Sequence, residues 1–196
     1  MTGAGRHQWV VGAIGLLLVL IFSVSLYANG GGQGHPGLSA GSPLPHFVAP
    51  LATSTLNVPA NVAPRCDPAR PARRGLNVCG RQRIVLDLFS ASAPSCVRSV
   101  DALQKVAAGF PQTSFAAVGI GATRRRIATL VRSHHWGIPV AYDSTAAVAQ
   151  LYHVVVCPLI EVAGGNGRIR RLLIGDRWTA PTALARELRR VLREGA

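Results

Sequence analysis

Residues 81–108 constrain this chain more than any other stretch. RQRIVLDLF (81–89) is a compact apolar run of the kind that fills a buried strand. From Pro94 to Ala108 the pattern turns helical, with Cys96, Val100, Leu103 and Ala107 recurring at i, i+4, i+7 and i+11 on one face. A buried strand followed at once by a one-sided helix begins a crossover to a neighbouring strand. The junction also carries a cysteine in the first turn of its helix.

The rest of the chain continues that order. SFAAVGIG (114–121) is a second buried strand, and TRRRIATLVRSHHWG (123–137) a helix ending near Gly137. PVAYD (139–143) is a short extended piece and AAVAQLYHV (146–154) a short helix. VVVCPLIEVAG and GRIRRLLIG are expected as two further strands, joined through the Gly-rich AGGNG as an antiparallel hairpin. Thr179 to Glu194 closes the chain as a helix with Leu184, Leu188 and Val191 inward, Thr179 as candidate N-cap and Pro181 in the first turn. Helical crossovers first and a tight hairpin last specify an α/β fold with a mixed central sheet.

The N-terminal segments are of another kind. Val10 to Ala28 holds no charged residue and is long enough to span a hydrocarbon core, with Trp9 and Tyr27 at its borders. No small-x-small cleavage site follows it, so the run predicts an uncleaved transmembrane signal anchor. Arg6 precedes the span and no Lys or Arg follows until after Pro64, which places residues 1–9 in the cytoplasm and the rest outside. Residues 29–45, NGGGQGHPGLSAGSPLP, read as a flexible linker. From His46 a single extracytoplasmic domain is expected to run to Ala196, led by short strand material broken by prolines (46–64).

Charge adds one exclusion. The chain carries 21 Lys+Arg against 8 Asp+Glu, a formal net charge of +13. The arginines are scattered without interleaved aromatics, and the expected compartment is wrong for nucleic acid, so none is expected as a partner.

These landmarks resemble the thioredoxin superfamily, and in particular its membrane-anchored, TlpA-like and redoxin thiol–disulfide oxidoreductases. Asp87-Leu-Phe-Ser-Ala-Ser-Ala93-Pro-Ser-Cys96 falls without a gap on the family's D-F-W-A-x-W-C-G/P-P-C. Tyr152-His-Val-Val-Val-Cys157-Pro158 resembles its Y-G-V-x-x-x-P, whose proline is cis and faces the active site. The resemblance covers about 81–194 and implies a three-layer thioredoxin-like fold behind the transmembrane helix. It also implies a protein thiol or disulfide as partner, and no cofactor or metal. In the family the first cysteine attacks, the second resolves, and the acid six positions before the first deprotonates the second. Here the attacking position is Ala93, the resolving cysteine is kept as Cys96 and the acid as Asp87, so ordinary C-x-x-C exchange is impossible.

The resemblance implies a replacement. The residue before the cis-proline lies against the C-x-x-C turn in this fold, so Cys157 is the candidate second sulfur for Cys96. Pairing them requires Cα atoms within about 7 Å. Pro158, Pro94 and Ser92 are then candidates for holding an extended substrate segment. Two readings stay open for these sulfurs: a redox pair with Asp87 as proton acceptor, or two buried small hydrophobes. Asp87 could equally be held by an arginine such as Arg83. A silent binding module and a peroxiredoxin-like one-cysteine peroxidase are the alternative functions. The peroxidase is disfavoured because its motif would need Pro and Thr/Ser where Phe89 and Ala93 stand.

Four cysteines allow three connectivities. Cys66 and Cys79 flank a basic, Pro-containing loop, and pairing them is expected as a structural disulfide that contributes about 3 kcal/mol by loop closure. Gly119-Ile-Gly121-Ala-Thr-Arg124 follows a strand but lacks the third glycine of a dinucleotide site, and a strand-to-helix turn explains it better. His134-His135-Trp136 sits at a helix end, where histidines favour the dipole and need no metal.

Overall fold

The structure is a computed structural model and describes Leu17 and residues 36–64, 74–79 and 83–193. Among the described residues no helix is long and apolar enough to cross a membrane. The expected anchor, 10–28, lies outside them except for Leu17.

Five strands make the central sheet. β3 (Ile84–Ser90), β4 (Ser114–Ile120) and β5 (Val140–Asp143) are parallel, while β6 (Leu159–Ala163) runs antiparallel to β3 and β7 (Ile169–Ile174) antiparallel to β6. Their spatial order is β5-β4-β3-β6-β7. The helices are α1 (Pro94–Ala107), α2 (Arg124–His134), α3 (Ala147–Leu151) and α4 (Pro181–Arg193). A separate antiparallel pair, β1 (Phe47–Pro50) and β2 (Gly75–Val78), bridges to β5 through Leu51 and Ala141.

β3 is central because both of its faces are buried, mostly by apolar side chains. Ile84, Leu86 and Leu88 join a core with Phe47, Val118, Val148 and Tyr152. On the other face, Phe89 packs with Cys96, Val100, Ile127 and Trp136, and Val85 with Leu103, Ile160, Leu184 and Leu188. Each such fully buried side chain contributes roughly 1.5–3 kcal/mol of transfer free energy. Helices α1, α2 and α4 therefore cover one face of the sheet, giving the expected mixed α/β layering.

Several local expectations shift. PVAYD is a full strand of the sheet, β5. The basic loop after Cys66 contains β2, whose GLNV pairs with FVAP in β1, a pairing between segments too far apart in sequence for periodicity to reveal. Thr179 does not cap α4: its hydroxyl donates to the Asp176 carbonyl at 2.7 Å, closing a 3-10 turn (Asp176–Thr179) before Pro181. Gly119 has a packing reason, since any Cβ there would overlap Ile127 of α2.

Residues 36–45, assigned by composition to the tether, lie along the outer edge of β7. Gly41 N donates to Ile169 O at 2.7 Å, Ile169 N to Ser42 O at 2.9 Å and Leu44 N to Gly167 O at 2.9 Å. An edge strand offers unpaired backbone groups, and this segment satisfies them without needing a hydrophobic pattern of its own.

Candidate redox site

The site forms where β3 runs into α1. Strand pairing of β3 with β6 ends at Leu88 opposite Leu159. Beyond it, Ala91 and Ser92 turn the chain and Ala93 serves as the N-cap of α1 with an extended backbone. Alanine offers no capping oxygen, and Pro94 follows at the start of the helix, where its missing N–H costs nothing. Cys96 thus sits in a first turn that carries no acidic side chain, where the helix dipole favours a thiolate.

Cys157 arrives from the opposite direction, one residue ahead of Pro158 and joined to it by a cis peptide bond. Cys96 and Cys157 form a disulfide with their Cα atoms 5.7 Å apart. The replacement sulfur expected beside the cis-proline is therefore bonded to Cys96.

The two sulfurs have different surroundings. Cys96 is 1% exposed and belongs to the core of Phe89 and Val100. Cys157 is only half-buried, follows the exposed Val155 and Val156, and accepts a hydrogen bond at Sγ from the Ser90 amide at 3.3 Å. Arg126 donates to the Ala91 carbonyl at 3.3 Å, which sets a cation beside the turn. Ser92 and Pro94 are exposed at the rim, with Ser92 Oγ 2.9 Å from Ser90 Oγ, while Pro158 is buried.

Asp87 lies beneath the first turn of α1 with no exposure. Its partner is Ser99, not Arg83: Ser99 Oγ is 2.6 Å from Asp87 Oδ2 and 2.8 Å from the Cys96 carbonyl oxygen. The other carboxyl oxygen, Oδ1, accepts no hydrogen bond. Burial pushes the Asp87 carboxyl up to about 7, and the Ser99 hydrogen bond only partly opposes it. An acid that exchanges its proton near neutral pH is suited to proton transfer.

Sequence reasoning missed Ser99, although a signal existed: it is a serine three residues after Cys96 on an otherwise apolar helix face. The Ser90 amide is a backbone group and left no signal in the side-chain pattern. Glu161, fully buried like Asp87 and Asp143, was also missed; it accepts the Leu38 amide at 2.8 Å on the sheet face opposite Asp87. Cys79 is disulfide-bonded, and its expected partner Cys66 lies outside the described residues. His134 bonds to Asp101 at 2.9 Å, and no metal-binding group of three His, Cys, Asp or Glu occurs among the described residues.

No protein-family model and no curated protein matches the sequence. Solved structures do match the fold. One from Chlorobium tepidum, assigned as a thiol:disulfide interchange protein DsbE, superposes with a TM-score of 0.62 at 16% identity, covering 79% of this chain and 98% of that one. The thioredoxin domain of a Bacteroides vulgatus thiol-disulfide oxidoreductase gives 0.60 at 13% identity, covering 79% and 99%. Peroxidoxin BcpB from Mycobacterium tuberculosis gives 0.57 at 16% identity, covering 82% and 98%. The fold is thioredoxin-like. Within it, the sulfur bonded to Cys96 at the start of α1 comes from the strand-side loop at Cys157.

Proposed function

We propose that the protein is an atypical thiol–disulfide oxidoreductase in which Cys96 and Cys157 cycle between dithiol and disulfide. The observation that carries this reading is their disulfide, which joins the half-buried Cys157 to the N-terminus of α1, where Ser99 links the buried acid Asp87 to the Cys96 carbonyl. In one turnover the dithiol transfers two electrons and two protons to a protein disulfide, or accepts them from a protein dithiol in the reverse direction. Asp87 accepts the proton released at the buried end of the pair. Ser92, Pro94 and the loop before Pro158 border the sulfurs and form the ground on which an extended substrate segment rests.

The same proposal places the domain outside the cytoplasm, anchored by residues 10–28. Its support is the uncharged run, the single preceding Arg6 and four cysteines that all follow the run. The peroxidase alternative loses ground because Cys96 is buried and already bonded to a second sulfur.

The test is turnover by the purified full-length chain, supplied with a dithiol reductant and a disulfide-bonded protein substrate. Catalysed reduction that disappears in both Cys96→Ser and Cys157→Ser is expected. A wild-type chain no faster than the reductant alone makes the domain a binding module with structural disulfides.

A further inference from the structure

We infer that the two sulfurs have fixed and unequal roles, with Cys157 exchanging with substrate and Cys96 resolving. This rests on the reading of the pair as redox-active and deepens it. The resemblance gives Cys96 the resolving position, yet the first turn of a helix is also where an activated thiolate is usually found, so helix position alone does not assign the roles.

Access argues first. Thiol–disulfide exchange requires an incoming sulfur to approach the attacked sulfur in line with the bond that breaks. Cys96, at 1% exposure, is closed to a protein-sized reactant. Cys157 is half-buried and preceded by two exposed valines, so its sulfur can be approached.

Electrostatics argues in the same direction. The Ser90 amide points at Cys157 Sγ from the end of β3, at 3.3 Å. A donor fixed in a strand needs no rearrangement to stabilise negative charge on that sulfur, and hydrogen bonds to a charged acceptor are roughly twice as strong as neutral ones. Cys96 has a different advantage. At the N-terminus of α1 it is a good leaving group, and the lower the leaving thiol's pKa, the faster it departs.

The chemistry then balances as follows. In the reduced protein the Cys157 thiolate attacks one sulfur of a substrate disulfide. A Cys157–substrate bond forms, the substrate S–S bond breaks, and the second substrate sulfur leaves as a thiolate that takes a proton from solvent. The Cys96 thiol gives its proton to Asp87 and attacks Cys157 Sγ, forming the Cys96–Cys157 bond and releasing the first substrate sulfur as a thiolate that takes a proton from solvent. The substrate disulfide gains two electrons and the protein dithiol loses them. An external dithiol reductant restores the protein by attacking Cys157 and expelling Cys96.

The experiment uses glutathione as probe on the full-length chain. Oxidised wild-type protein is exposed to reduced glutathione, quenched with acid and mapped by mass spectrometry. In parallel, reduced Cys96→Ser and Cys157→Ser variants are timed for capture of oxidised glutathione. Glutathione is expected on Cys157, and capture by Cys96→Ser should be about 100-fold faster than by Cys157→Ser. If either variant fails to fold, the wild-type map alone decides. Glutathione found on Cys96 overturns the assignment of roles while leaving the oxidoreductase reading intact. A disulfide that stays closed at every glutathione concentration overturns both.

Discussion

Ser99 Oγ lies 2.6 Å from Asp87 Oδ2 and 2.8 Å from the carbonyl oxygen of Cys96, so one hydroxyl links a buried acid to the backbone of a disulfide cysteine. A hydroxyl has a single proton to donate. When Asp87 is neutral it donates to Ser99, which is then free to donate to the Cys96 carbonyl. When Asp87 ionises, Ser99 turns its proton to the carboxylate and the carbonyl loses its bond. The charge state of Asp87 is thus sensed at the first turn of α1.

Burial makes Asp87 costly to stability, and the Ser99 hydrogen bond offsets only part of that cost. Its folded value, pushed up to about 7, lies above the ordinary 3.8, so the folded state holds a proton that the unfolded state releases between these values. Stability contributed by this group is greatest below about pH 4, falls as pH rises towards 7 and is level above. The full shift corresponds to about 4 kcal/mol. Asp87→Asn should therefore raise stability in urea unfolding at pH 8 by a few kcal/mol, with the gain gone at pH 4, while disulfide exchange slows.

Glu161 separates stability from chemistry. Burial also pushes it up to about 7, opposed in part by the Leu38 amide, so it destabilises over the same pH window. It faces the core of Phe47 and Tyr152, away from the disulfide. Glu161→Gln should flatten the pH dependence of unfolding as Asp87→Asn does, yet leave the exchange rate of Cys96–Cys157 unchanged.

Ser99→Ala removes the group that lowers the Asp87 carboxyl and leaves Oδ2 without its partner. The pH midpoint of the exchange rate should move upward. Stability should fall by about 1–3 kcal/mol, the cost of a buried polar atom left unpaired. Ser99→Thr keeps the hydroxyl and should restore the midpoint.

Val155, 70% exposed, stands two residues before Cys157. An exposed apolar side chain this close to an exchanging sulfur favours apolar substrate segments. Val155→Asp should lower kcat/KM for a disulfide-bonded protein by roughly 10-fold, in line with the loss of one apolar contact, and leave the rate with a small disulfide unchanged.

Much of this was legible in the sequence, and for local reasons. Asp87, Ala93 and Cys96 are spaced by one strand-to-helix junction, so their mutual geometry follows from secondary structure alone. Cys157 was legible only through its likeness to the loop before a cis-proline, because it is 61 residues from its partner. The pairing of β1 with β2 and the seating of residues 36–45 on β7 depend on backbone hydrogen bonds, which leave no periodicity to read. Glu161 belongs to no motif in the sequence, and its amide partner, Leu38, is 123 residues away.

The most direct test is the reduction potential of the Cys96–Cys157 pair in the full-length chain, read by differential thiol alkylation and mass spectrometry across glutathione redox buffers. A potential within the range of catalytic disulfides, roughly −120 to −270 mV, is the predicted result. A pair that remains oxidised below about −300 mV behaves as a structural disulfide and contradicts the proposed function.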